Sequence, residues 1–133
     1  MNILIHREPT HPGEMLLFEF LQPLNISQKT LANAISIPYQ QINQIVNKRR
    51  GITVFIALCL AKYFDISVYF WIHLQNKWDI YQAFKHRGKE IEKIQPLALL
   101  LKKYPNWQWS TKTNKKLTHY VTQKTKKIYQ KDK

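Results

Sequence analysis

Apolar residues recur every three to four positions between residues 10 and 95, and nothing in that stretch alternates cleanly with period two. That spacing predicts helices and argues against strands. A first helix opens at Pro12, with Glu14 in its first turn, where the helix dipole favours an anion. Met15, Phe18 and Leu21 follow at helical spacing, and Gln22-Pro23 stops the run. Ser27 suits the N-cap of a second helix, in which Leu31, Ala32 and Ile35 share a face. Ser36-Ile37 makes a tight corner, and Pro38 opens a third helix with Ile42, Ile45 and Val46 on its inner side. Asn47 to Gly51 reads as a polar, basic loop. Thr53 caps a fourth helix running to Phe64, and Ser67 caps a fifth that carries Phe70, Trp71, Leu74, Trp78 and Tyr81. The expectation is an all-α domain of five short helices joined by short turns.

Composition narrows the partners. The 133 residues carry a formal charge of +13 and are 44% hydrophobic, enough for a real core. Residues 1–101 account for a net +4, and residues 102–133 for +9 from ten lysines and Asp132. Such an imbalance points to a polyanion. The chain therefore reads as a domain over residues 1–101 (helical core 10–95) followed by a Lys-rich extension over 102–133, with the boundary between Leu101 and Pro105. Pro96 and Pro105 bracket the apolar run Leu97–Leu101 and limit it to a short helix. The uncharged stretch Gly51–Ala61 is about half the roughly 20 residues of a membrane span. Residues 1–14 show no apolar core of a secretory signal. A soluble, cytoplasmic protein without a membrane partner is expected.

The second and third helices, joined by a short corner, have the form of a helix-turn-helix. A small residue must sit where the two helices pass closest, and Ala32 fits. Leu31, Ile37, Ile42 and Ile45 can lock the angle between them. The outward face of the third helix offers Tyr39, Gln40, Gln41, Asn43, Gln44 and Asn47, and no carboxylate occurs between Glu19 and Asp65. Amide side chains carry a donor and an acceptor together, which matches the adenine edge in the major groove. Lys48, Arg49 and Arg50 follow directly and can neutralise phosphates, positioning the domain without reading sequence. A helical bundle with a merely solvated amide-rich face is the bland alternative. It does not account for the acid-free window and the basic loop occurring together.

Ser27-Gln28, Leu31-Ala32, Ile37, Ile42 and Ile45 resemble the helix-turn-helix of phage repressors and Xre-type regulators. A wider set of motifs is similar to the HigA-type antitoxins, also described as virulence-associated protein I. That set comprises His11-Pro12-Gly13-Glu14, Leu21 to Ile26, Ile42-Asn43 with Ile45-Val46-Asn47, Arg50-Gly51-Ile52-Thr53, and Phe70-Trp71 with Leu74-Gln75-Asn76. The resemblance spans about residues 6–95. It implies a five-helix fold of the lambda-repressor kind and a homodimer that represses its own operon by binding double-stranded DNA at the operator. It also implies neutralisation of a HigB-type, ribosome-dependent mRNA endonuclease. By the same resemblance Gln28 binds phosphate and supports a side chain of the third helix. Tyr39, Gln40 and Gln44 fall at base-reading positions, Gln41 and Asn43 beside them, and Lys48 and Arg49 in the loop that grips the backbone. Four positions depart from the family pattern. Ser36 and Lys48 replace glycines, and Phe55 and Cys59 occupy the side of the fourth helix that is usually polar.

No catalytic, cofactor or metal site is expected. The five histidines include no pair three or four apart, three glycines leave no phosphate-binding loop, and Cys59 sits in an apolar helix as a small hydrophobe. His11 reads as a helix cap. The stripe from Phe70 to Tyr81 serves either the core or a dimer contact that spaces two recognition helices about 34 Å apart. The lysines around Trp107, Trp109, Tyr120 and Tyr129 are either a solvated tail or a loose nucleic-acid contact. Two further functions stay open. One is a stand-alone Xre-type regulator, and the other a protein-interaction module that reads no DNA.

Overall fold

A computed structural model of the chain describes residues 7–99 together with His119, Gln123, Lys124 and Lys127. In chain order the elements are α1 (Pro12–Met15), which continues as a π-helical turn π1 (Leu16–Leu21), then α2 (Gln28–Ile35), α3 (Tyr39–Val46), α4 (Val54–Phe64) and α5 (Val68–Glu92). There is no strand among the described residues. The all-α, five-helix expectation holds. The boundary at Leu101–Pro105 lies outside the described residues, as does the extension 102–133 apart from the four residues named above.

Local chemistry sets most helix boundaries. Ser27 Oγ accepts from the Thr30 amide at 3.0 Å and Thr53 Oγ1 from the Ile56 amide at 3.2 Å, so each satisfies an orphan N–H of its helix. At the other ends, Ser36 (φ 57°) and Asp65 (φ 52°) take left-handed conformations. Their own amides donate to Ala32 and Ala61, and so do those of Ile37 and Ile66, which closes both helices in the manner usually served by glycine. A serine held there costs on the order of 1 kcal/mol relative to glycine.

Two expectations are corrected. The α spacing of Met15, Phe18 and Leu21 does not set the buried side: Phe18 is exposed, whereas Leu16 and Leu21, five apart, are both buried. The reason is the wider π period, visible in the Gln22 amide donating to the Leu17 carbonyl at 3.0 Å. Nor are all five helices short. α5 spans 25 residues as two helical pieces that meet at a kink at Arg87 (φ −131°, ψ 18°), and the first of them is long because no glycine or proline interrupts it before Gly88.

The chain divides into two compact units, residues 1–88 and 89–133. The first holds the core: Leu16, Leu21, Leu31, Ala32, Ile37, Ile42, Ile45, Val46, Ile52, Ile56, Ala57, Leu60 and Trp71. Trp71 is fully buried against Phe20, 5.1 Å away between ring centroids, and Phe70 at 5.2 Å. Its neighbours Phe70 and Leu74 are half-buried against the same core. In the second unit, the last helical turn of Lys89–Glu92 is followed by helical residues 97–99, with the Leu99 amide donating to Pro96. A helical start after Pro96 is thus present, and whether it ends before Pro105 lies outside the described residues.

Candidate nucleic-acid interface

α3 is positioned from three sides. Its inner residues Ile42, Ile45 and Val46 are buried, so at 100° per residue Gln40, Gln44 and Asn47 fall on the opposite face. Gln40 and Asn47 are exposed and Gln44 half-buried. Asn43 and Gln41 flank that face, and Tyr39, 44% exposed, stands at the helix start. Lys29 of α2 lies over the Tyr39 ring, 5.8 Å from its centroid. Five of the six side chains expected on the outer face are thus carried by α3, and the sixth, Asn47, by its C-cap.

Within this set the amides do different work. The Gln28 Oε1, at the start of α2, accepts from Asn43 Nδ2 at 3.1 Å. The Asn43 Oδ1 accepts in turn from Asn47 Nδ2 at 3.2 Å, and Asn47 Nδ2 also reaches the Asn43 carbonyl at 2.9 Å. Asn43 is therefore engaged by both neighbours and ties α2 to α3, while Gln40 and Gln44 carry no such bond to it. This is the support of a third-helix side chain by Gln28 that the family resemblance implies. Asn47, counted on the outer face but not among the candidate site residues, is part of the same chain of amides.

The basic loop is equally well held. Lys48 adopts a left-handed conformation (φ 61°), its amide donating to the Ile45 carbonyl and that of Arg49 to Gln44. Arg49 and Arg50 are exposed. On its far side the loop is fixed to α5 by Gln75, whose Oε1 accepts from the Ile52 amide at 2.8 Å and whose Nε2 donates to Asp79 at 2.8 Å. Lys48 Nζ is paired with the Glu14 carboxylate of α1. Neither the Gln75 tie nor the Glu14 pair was anticipated, since each joins residues more than twenty apart.

α1 approaches α3 at Gly13. A Cβ on Gly13 would lie 1.8 Å from the Ile45 carbonyl oxygen, so only glycine allows this packing. His11 caps the same helix end as expected, its Nδ1 accepting from the Gly13 amide at 2.9 Å. The ring is buried and meets Trp78 edge-on, 4.8 Å between centroids. Burial lowers its pKa from the usual 6.5, and the Lys48 charge acts in the same direction, while Glu14 and Asp79 oppose it. Neutral His11 is the form the cap requires. Above pH 6.5 neither state binds the proton. As pH falls below 6.5 the unfolded chain takes it up first, so stability drops until the lowered folded pKa is passed. Urea unfolding of the wild type should thus lose more stability between pH 7 and pH 5 than that of His11→Asn, which keeps a capping acceptor but does not titrate. Equal pH slopes for the two would rule this out.

On α4, Phe55 is 64% exposed and Cys59 half-buried. Cys59 lines a groove of about 350 Å³ with Ala34, Ile35, Leu58, Lys62 and Tyr63. Among the described residues no group of three or more His, Cys, Asp or Glu side chains converges on one point. No helix among them is long and apolar enough to cross a membrane.

Comparison with known proteins meets this geometry at the same place. A helix-turn-helix family model matches residues 17–71. Virulence-associated protein I of Dichelobacter nodosus is 38% identical over 88 residues, covering 66% of this chain and 81% of that protein. Antitoxin HigA-1 of Vibrio cholerae is 30% identical over 95 residues, 71% of this chain and 90% of the relative. The solved Pseudomonas aeruginosa antitoxin HigA with the higBA promoter superposes with a TM-score of 0.64 at 41% identity, over 67% of this chain and 98% of that one. The chain belongs to the HigA-type helix-turn-helix family. The matched helix-turn-helix region takes in the α2–α3 pair, and its family relatives are named as regulators and antitoxins.

Proposed function

We propose that the chain is a dimeric, cytoplasmic antitoxin of a type II toxin–antitoxin pair that represses its own operon by reading the operator with α3. The observation that carries this reading is the amide face of α3. It is free of carboxylates, backed by a buried apolar side, and followed at once by Lys48, Arg49 and Arg50. Gln40 and Gln44 read base edges, with Tyr39 and Gln41 beside them. Gln28 and Asn43 set the angle at which α3 is presented, and Gln28 keeps its Nε2 for a phosphate. Lys48 and Arg49 grip the backbone. The family supports this use of the surface, since the Pseudomonas HigA of the same fold is solved with promoter DNA. Neutralisation of a HigB-type toxin follows from the same membership. One observation favours a protein contact alongside the DNA contact: the exposed Phe55 and the neighbouring α2–α4 groove put apolar surface on the usually polar side of α4.

The test titrates the full chain against DNA from upstream of its own gene and against a scrambled duplex, at several salt concentrations. Preference for the upstream DNA by about a thousandfold or more is expected of a specific reader. Equal affinities, both falling steeply with salt, would leave only phosphate binding and defeat the operator reading.

A further inference from the structure

The pairing of Lys48 with Glu14 has a consequence for DNA affinity. Both partners stand on rigid supports. Glu14 follows Gly13, whose Cα is pressed against the Ile45 carbonyl at the end of α3. Lys48 is three residues beyond Ile45, its backbone fixed by the left-handed turn and its amide bonded to that same carbonyl. The carboxylate is thus held at the rim of the surface that follows α3, and it takes the ammonium group that would otherwise meet a phosphate. A carboxylate oxygen and a phosphate oxygen offer an ammonium the same kind of charge-assisted bond. The hydrogen bond that Lys48 donates to the Glu14 carboxylate also raises the Lys48 pKa, which favours its charged form.

We infer that Glu14 is an affinity-setting residue, an internal competitor that occupies Lys48 until a DNA phosphate displaces it. This inference rests on α3 and its following loop forming the DNA surface. A DNA phosphate must outcompete the carboxylate already on Lys48, and the displaced carboxylate is left facing a polyanion. Both effects weaken binding without reference to base sequence. Glu14 therefore lowers the phosphate contribution and leaves discrimination alone.

The experiment measures dissociation constants of the full-length wild type, Glu14→Gln, Lys48→Ala and the double variant for upstream and scrambled duplexes at one fixed salt concentration. Glu14→Gln is expected to tighten binding to both duplexes by about fivefold, the upper range of an exposed ion pair, with their ratio unchanged. In the Lys48→Ala background the same substitution should gain less than about twofold, because nothing remains to be released. Glu14→Ala should reproduce both results, and melting curves confirm that folded chains are compared. An equal gain with and without Lys48 would reduce Glu14 to a distant negative charge and overturn the inference. Weaker binding by Glu14→Gln would show instead that the carboxylate aims Lys48 at the DNA. If the wild type shows no preference for its upstream sequence, the operator reading fails, while the scrambled duplex still decides the role of Glu14.

Discussion

Gly13→Ala should lower the melting temperature by roughly 15 °C, for a loss of about 3 kcal/mol, at the upper end of what overpacking a core costs. Helix propensity alone predicts the opposite sign, since alanine in a helix is favoured over glycine by about 1 kcal/mol. Packing reverses it. The added methyl would sit 1.8 Å from the Ile45 carbonyl oxygen and 2.6 Å from its carbon, both backbone atoms that no side-chain rotation can move away. α1 must therefore withdraw from α3, taking with it the His11 cap and the Glu14–Lys48 pair. By contrast, Gly51→Ala would first meet a side chain, that of Gln75 at 2.7 Å, which can turn away at the cost of its bonds to Ile52 and Asp79, and serves as a milder control. Thermal unfolding followed by circular dichroism separates the two. A Gly13→Ala chain as stable as the wild type would mean that α1 and α3 do not pack at this distance.

That contact also shows where reading the sequence stops. The caps at Ser27 and Thr53 were legible because an N-cap acts within three residues, and the inner side of α3 because its period is local. The left-handed turn at Ser36 was legible as the place of a missing glycine, whereas its counterpart at Asp65 carried no such signal. The π turn was not legible. Met15, Phe18 and Leu21 have α spacing, and only the structure shows that Leu16 and Leu21 are the pair turned inward. Gly13 stood in a recognisable motif, yet its reason, the carbonyl of Ile45, lies thirty-two residues away. The same holds for Glu14 with Lys48 and for Gln75 with Ile52. Residue type and spacing identify the polar outer face of α3. The long-range bonds that hold it rigid have no period and come only with the fold.

Gln40→Ala should cost the operator preference, and cost it selectively. Gln40 projects opposite Ile42, Ile45 and Val46, is exposed, and is not drawn into the Gln28–Asn43–Asn47 amide chain, so its donor and acceptor face outward together. One bidentate amide–adenine contact is worth about 1–3 kcal/mol of discrimination, and a dimer makes it twice. The ratio of upstream to scrambled affinity should therefore fall by roughly 30-fold or more, with the scrambled duplex bound as before. Asn43→Ala provides the contrast. It breaks the tie between α2 and α3, so a loss there should come with a lower melting temperature, which Gln40→Ala should not show. Arg49→Ala, on the basic loop proposed to grip phosphate, should weaken both duplexes alike and flatten the salt dependence by about two units of slope, one for each subunit. Equal losses on both duplexes for Gln40→Ala would take base reading away from this position. Gln44, one turn further along the same face, would then be the residue to substitute.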